Sequence, residues 1–334
     1  QIKFLFLISK NNLLHLIKDW TPYRYELSVL EEHTNLTTFK ITKQINKDKK
    51  ISGIFNLIKL ENSNIYIAIT YEKQKFVKSV LMRFFENYYS ESSRLHLTSS
   101  QIQNLLDTIK EKLNCEIITD RVVSYSRLNK RKVIIPGKKQ RFKESDLRWT
   151  EEDYKKSFMR AAENDQWVDK ISFYTEKTER VLFTASLSRE GLFKCDKNVK
   201  DFYKIVAEFL VSIGKINVGI FSNKSRLENQ GEIKPIVIQY QSNVFEDVEQ
   251  NKRLIKAISE FPKSSYSVYH GNPYLHMSLV DYADGSSYDL WVVSADKIII
   301  VPQLRATFNS LSRVCEHIFK RFFEGKLSEL KVQT

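Results

Sequence analysis

The stretch Leu36–Tyr89 decides the fold. Its first part reads LTTFKITK (36–43), GIFNLIKL (53–60) and NIYIAITY (64–71), separated by NKDKK (46–50) and ENSN (61–64). Runs rich in β-branched and aromatic residues, broken by polar turn formers, predict strands of an antiparallel meander. The second part, EKQKFVKSVLMRFFENYY (72–89), changes period: Phe76, Val77, Val80, Leu81, Phe84 and Phe85 recur at helical spacing. That predicts a helix with one buried face. A sheet with an apolar face needs such a helix to cover it, so strands followed by a helix predict an α+β arrangement.

Working outward, a second helix is expected from Thr98, where Thr98 and Gln101 stand in capping-box positions before IQNLLDTIKEKL, and strand-like CEIITDRVVSYSRL (115–128) follows. The same order recurs. ISFYT (171–175) and VLFTASL (181–187) precede the helical NVKDFYKIVAEFLVSIG (198–214). LHMSLVD (275–281), SYDLWVV (287–293) and KIIIV (297–301) precede ATFNSLSRVCEHIFKRFFEG (306–325). RFFEN (83–87) and RFFEG (321–325) end two of these helices alike, a match that aromatic pairs on sheet-covering helices produce by chance. The expectation is an α+β fold of two domains, each a mainly antiparallel sheet with helices on one face, with repeated strand–strand–helix units as an economical way to build them.

The 334-residue chain carries a net charge of +13, and its distribution matters more than its sum. RLNKRKVIIPGKKQRFKESDLR (127–148) holds Arg127, Lys130, Arg131, Lys132, Lys138, Lys139, Arg141, Lys143 and Arg148 against Glu144 and Asp146, which is +7 of the total. Pro136-Gly137 signals a turn, and Thr150 before Glu-Glu-Asp has the character of a helix N-cap with an acidic first turn. The expected division is therefore an N-terminal domain at 1–126, a basic linker or nucleic-acid-contacting segment at 127–149, and a C-terminal domain at 150–334.

Composition narrows the class. The three cysteines, Cys115, Cys195 and Cys315, are far apart and lack metal-ligand spacing, which fits a reduced, cytoplasmic setting. The longest apolar runs fall well short of the ~20 residues a membrane helix needs. FLFLI (4–8) reads as a strand rather than a signal peptide, and the start at Gln1 leaves a longer chain open. Neither GxGxxG nor GxxxxGK[ST] occurs, so no cofactor is expected.

YHGNPYLHMSLVDYADGSSYDLWVV (269–293) packs two histidines and three aspartates among apolar residues. Asp284-Gly285 predicts a two-residue type I′ hairpin. Pairing Ala283 with Ser286 places Leu279 opposite Leu290, Met277 opposite Val292 and Asp281 on the core side opposite Tyr288. His276, Ser278, Val280, Asp289, Trp291 and Val293 then share the other face. In this register His276 and Asp289 lie ~13 Å apart along the strands, too far for a base and its orienting carboxylate. The stretch reads as a hairpin rather than a catalytic site, with His270 in the adjoining loop. His15 and His317 fall in amphipathic helical stretches, His33 and His96 near element ends, where structural roles are the default.

With no motif identifying a reaction, the expected function is non-catalytic nucleic-acid binding, DNA or RNA, within an assembly that includes protein partners or a homo-oligomer and no membrane. The nine basic residues of 127–148 are the expected phosphate contacts, with Tyr125 and Phe142 available to stack on unpaired bases. Two alternatives stay open. One is a metal-dependent nuclease, for which ENQGEIKP (228–235) before PIVIQY is a weak signal that a solvated loop explains as well. The other is an oligomeric scaffold.

Overall fold

The computed structural model describes residues 1–61, 63–128, 132–136, 153–178 and 180–330, with 132–136 as backbone apart from Ile134. The chain forms two compact units, Gln1–Asn87 with Arg94–Lys215 and Tyr88–Ser93 with Ile216–Thr334. Two antiparallel sheets with helices make this the α+β, two-domain fold the sequence predicts.

The division falls inside the helix Val199–Phe221, not around residues 127–149. Pairing explains why. Glu116–Ser126 and Gln166–Lys177 flank that segment in sequence, yet they lie side by side with Val122 opposite Ile171. Both flanks belong to one sheet. Downstream, Asp153 rather than Thr150 caps the helix Tyr154–Glu163, its carboxylate accepting from the Lys155 N–H at 3.4 Å; Thr150 lies outside the described residues.

The larger sheet has 11 strands, and its main path runs Tyr25–Glu32, Leu36–Asn46, Lys49–Lys59, Ile65–Thr70, Ile2–Ser9, Leu192–Asp196, Arg180–Ser188, Gln166–Lys177, Glu116–Ser126, Lys132–Pro136. The expected meander is present, and the FLFLI strand sits at the centre of the path. It is buried along its length because both faces are covered. On one face Phe4 packs 5.9 Å from Phe202 in the helix Val199–Phe221. On the other, Gly53 and Phe55 meet the helical run that begins with Gln74–Phe76, continues through a π-turn at Val77–Leu81 and passes into Met82–Phe85. A Cβ on Gly53 would lie 2.4 Å from the Phe76 ring, so glycine lets this helix close onto the sheet. At its centre the larger sheet therefore has helices on both faces, where one was expected.

The smaller sheet has 6 strands in the order Ser264–His270, Leu275–Asp281, Ser286–Ser294, Lys297–Pro302, Ile236–Gln239, Lys326–Glu329. Leu275, Met277, Leu279, Leu290 and Val292 share its buried face, as expected. The register differs by two residues. Leu279 pairs with Tyr288, Met277 with Leu290, Leu275 with Val292 and Asp281 with Ser286. The connection is a four-residue loop in which Gly285 alone has positive φ, so it is not a type I′ turn. A slip of two preserves which face each side chain occupies, which is why the apolar set survives. Side-chain hydrogen bonds favour the longer loop: Asp281 accepts from the Ala283 N–H at 3.0 Å, and Asp284 accepts from the Ser286 N–H at 2.9 Å and from the Thr307 hydroxyl. His270 ends a strand, opposite His276, rather than lying in a loop.

Candidate nucleic-acid interface

Of the nine basic residues singled out in 127–148, Arg127 is the one whose side chain is described. It is buried, with its guanidinium 3.6 Å from Asp165 and its N–H donating to the Asp165 carbonyl at 3.1 Å. This arginine serves the fold. Lys132 is described as strand backbone, and Lys130, Arg131, Lys138, Lys139, Arg141, Lys143 and Arg148 lie outside the described residues, as does Phe142. Tyr125 is stacked on Trp167 with ring centroids 5.0 Å apart.

The strand registers assemble a different set. Arg121 pairs with Ser172, Ser172 with Ser186, Ser186 with Lys194, Lys194 with Lys3, and Lys3 with Thr70. Directly opposed residues project from the same face of a sheet, so these six side chains form one row across six consecutive strands. At ~4.8 Å between strands the row is about 24 Å long. Every member carries a donor group and none is acidic. Lys3, Ser186 and Thr70 are buried, and the Thr70 hydroxyl donates to the Ile54 carbonyl at 2.7 Å, so Arg121, Ser172 and Lys194, with Lys170 beside them, are the part of the row that is not buried. Lys170, two residues from Ser172 along its strand, projects from the same face. Alternation explains why the row exists. Phe4, Phe193, Ala185 and Phe173 take the opposite face and fill the core there, leaving the intervening positions to polar residues.

Electrostatically the row is positive. Burial holds the Lys194 ammonium below its ordinary pKa, and the charges of Lys170, Lys3 and Lys78 lower it further. Lys78 comes from the π-turn of the covering helix, and such turns occur frequently at functional sites. Lys3 is itself lowered by burial, an effect that Glu72 opposes. Its Nζ donates to the Gln1 carbonyl at 3.1 Å. Like charges held together and partly desolvated favour an anion that neutralises them. At the far end, the Arg121 Nε is buried without a hydrogen-bond partner.

The hairpin that resembled an active site is structural. The fully buried Asp281 carboxylate accepts from the Ser310 hydroxyl at 2.8 Å and lies 3.1 Å from the Arg313 guanidinium. Asp284 ties the loop to Thr307, the N-cap of the helix Phe308–Arg321. In the observed register His276 stands opposite Trp291, two residues from Asp289 rather than four, and stacks on that indole at 3.5 Å. Asp289 accepts from the Gln303 amide at 2.7 Å. Lys234, within 228–235, donates to Asn229 at 3.1 Å. Among the described residues no cluster of three or more His, Cys, Asp or Glu side chains is placed to hold a metal ion, and no helix is long and apolar enough to cross a membrane.

The sequence matches no known protein-family model and no curated protein.

Proposed function

We propose that this chain is a non-catalytic nucleic-acid-binding protein that grips a phosphate backbone with Arg121, Lys170 and Lys194 of this row, with the basic residues of 130–148 adding contacts. The observation that carries the reading is the row itself: Arg121, Lys170 and Lys194 on one face of neighbouring strands, with no carboxylate in the row. A track of about 14 Å, three strand spacings from Arg121 to Lys194, suits a polymer better than a mononucleotide. Phosphate contacts of this kind position a protein on nucleic acid without selecting sequence.

Fluorescence anisotropy with single-stranded DNA, single-stranded RNA and duplex DNA at several salt concentrations tests it. If Arg121, Lys170 and Lys194 each meet a phosphate, the log–log salt slope is roughly −2.1 for single strands or −2.7 for duplex. Arg121→Glu with Lys194→Glu should weaken binding to unrelated sequences and flatten the slope by roughly 1.4 or 1.8. A parallel Lys138→Glu, Lys139→Glu, Arg141→Glu variant reports the share carried by the basic segment. Affinities and slopes unchanged in the sheet variant would remove the row from the function.

A further inference from the structure

Sheet edges expose unpaired backbone groups, and proteins commonly blunt them with charge, proline or short length. Two described edges of this chain follow that pattern: Tyr25–Glu32 carries Glu26, Glu31 and Glu32, and Lys326–Glu329 is four residues with a charge at each end. The remaining edge of the smaller sheet, Ser264–His270, does not. Its sequence, SSYSVYH, is seven residues long and contains no Asp, Glu, Lys, Arg or Pro. Tyr266 and Val268 are 42% and 41% exposed although they project from the same face as the buried Leu279 and Met277.

The direction of the free backbone groups is fixed. The Lys263 carbonyl accepts from the Tyr282 N–H at 2.8 Å, so Lys263 turns its backbone groups into the sheet. In an antiparallel ladder the direction alternates, which turns Ser265 and Ser267 inward as well and leaves Ser264, Tyr266 and Val268 facing outward. We infer that a second copy of this chain pairs antiparallel with Ser264–His270 about a two-fold axis at Ser267, joining two smaller sheets edge to edge.

That register is self-complementary. Tyr266 of each copy forms a hydrogen-bonded pair with Val268 of the other, so all the outward groups of these residues are used. An aromatic and a β-branched side chain then cover each other twice, extending the core faces of both sheets. Charge agrees with this occupant. On a chain of +13 the neutral strand is where two copies meet with least repulsion, and the nearby Lys263 falls opposite Gly271 of the other copy rather than opposite a second cation. A two-fold, isologous contact of this kind closes on itself instead of propagating.

Sedimentation equilibrium of the full chain should give twice the 39.4 kDa chain mass. Val268→Pro removes one outward N–H and Val268→Lys adds charge to the edge; both should sediment as monomers with unchanged circular dichroism. Ser267→Cys would sit opposite itself in a non-hydrogen-bonded pair, with Cα atoms ~4.5 Å apart, within disulfide range. Mild oxidation should convert that variant to a covalent dimer on a non-reducing gel. A wild-type chain that is monomeric at every concentration overturns the inference, as does a dimer that survives both Val268 substitutions or a Ser267→Cys variant that fails to cross-link. Nucleic-acid binding through the larger sheet is measured separately and stands or falls on its own.

Discussion

Lys3 and Lys194 stand directly opposite each other on neighbouring antiparallel strands, two cations on one face of the larger sheet. Like charges in that position cost stability, by an amount comparable with the roughly 0.2–1 kcal/mol that opposite charges contribute. Lys194→Met should therefore raise the free-protein unfolding free energy by about that amount while weakening phosphate binding. The sign extends to pH. Because the Lys194 pKa is lowered in the fold, the unfolded chain retains this proton to higher pH, so the lysine's penalty fades as pH rises toward its ordinary value of 10.5. Urea titrations of wild type and variant at neutral and alkaline pH measure both effects; a destabilised Lys194→Met protein would contradict the electrostatic account.

Asp281 carries the second prediction. Its buried carboxylate receives the Ala283 N–H, the Ser310 hydroxyl and the Arg313 guanidinium, joining the hairpin loop to a helix. Asp281→Ala leaves those donors without an acceptor. Removing one partner of a buried pair costs about 3–5 kcal/mol, and the lower end applies here because Arg313 is 29% exposed and reaches water. Asp281→Asn, which keeps two acceptor sites, should lose less. A denaturation midpoint unmoved by Asp281→Ala would mean that the network does not hold the loop.

His317 makes stability depend on acid. Burial pushes its pKa down to about 4, although the hydrogen bond from Nε2 to the Ala257 carbonyl, 2.7 Å long, works in the opposite direction. The ordinary value is 6.5, so between about 4 and 6.5 the unfolded chain binds the proton and the native chain does not. Its contribution is present above pH 6.5 and is lost as pH falls to about 4. The expected loss is on the order of 1–3 kcal/mol, discounted for the exposed part of the ring. Unfolding free energies at pH 7 and pH 5 should differ less in His317→Gln than in wild type. An unchanged difference would assign the acid sensitivity elsewhere.

Local elements were legible in the sequence because they depend on neighbours. The capping box at Thr98 and Gln101 is present with both reciprocal hydrogen bonds, and the apolar positions of Phe76–Phe85 face the sheet as their spacing predicts. Pairing between distant strands was not legible. Nothing local says that Glu116–Ser126 lies beside Gln166–Lys177, and the candidate interface depends on that partnership. Charge counting favours contiguous runs and so selected 127–148, whereas Lys3, Lys170 and Lys194 are scattered through the chain. A signal for them does exist. Each is a lone lysine inside an apolar strand-like run, in IKFLFLI, WVDKISFY and GLFKCD, where a cation needs a reason to be. The edge strand SSYSVYH escaped for a related reason, since its serines mask the alternation with Tyr266 and Val268.

The central position of Ile2–Ser9 also sets a clock. One neighbour, Ile65–Thr70, follows soon after it and the short strand Ser92–Arg94 pairs with it as well, but Leu192–Asp196, which pairs with Ile2–Leu5, lies some 190 residues downstream. At synthesis rates of roughly 5–20 residues per second, this strand waits about 10–40 s for that last partner. Through that interval the Ile2–Leu5 part of the strand is an open edge, which the finished protein conceals. The time between translating Ile2–Ser9 and closing the sheet on it is when this chain is most exposed to mispairing and most in need of chaperone cover.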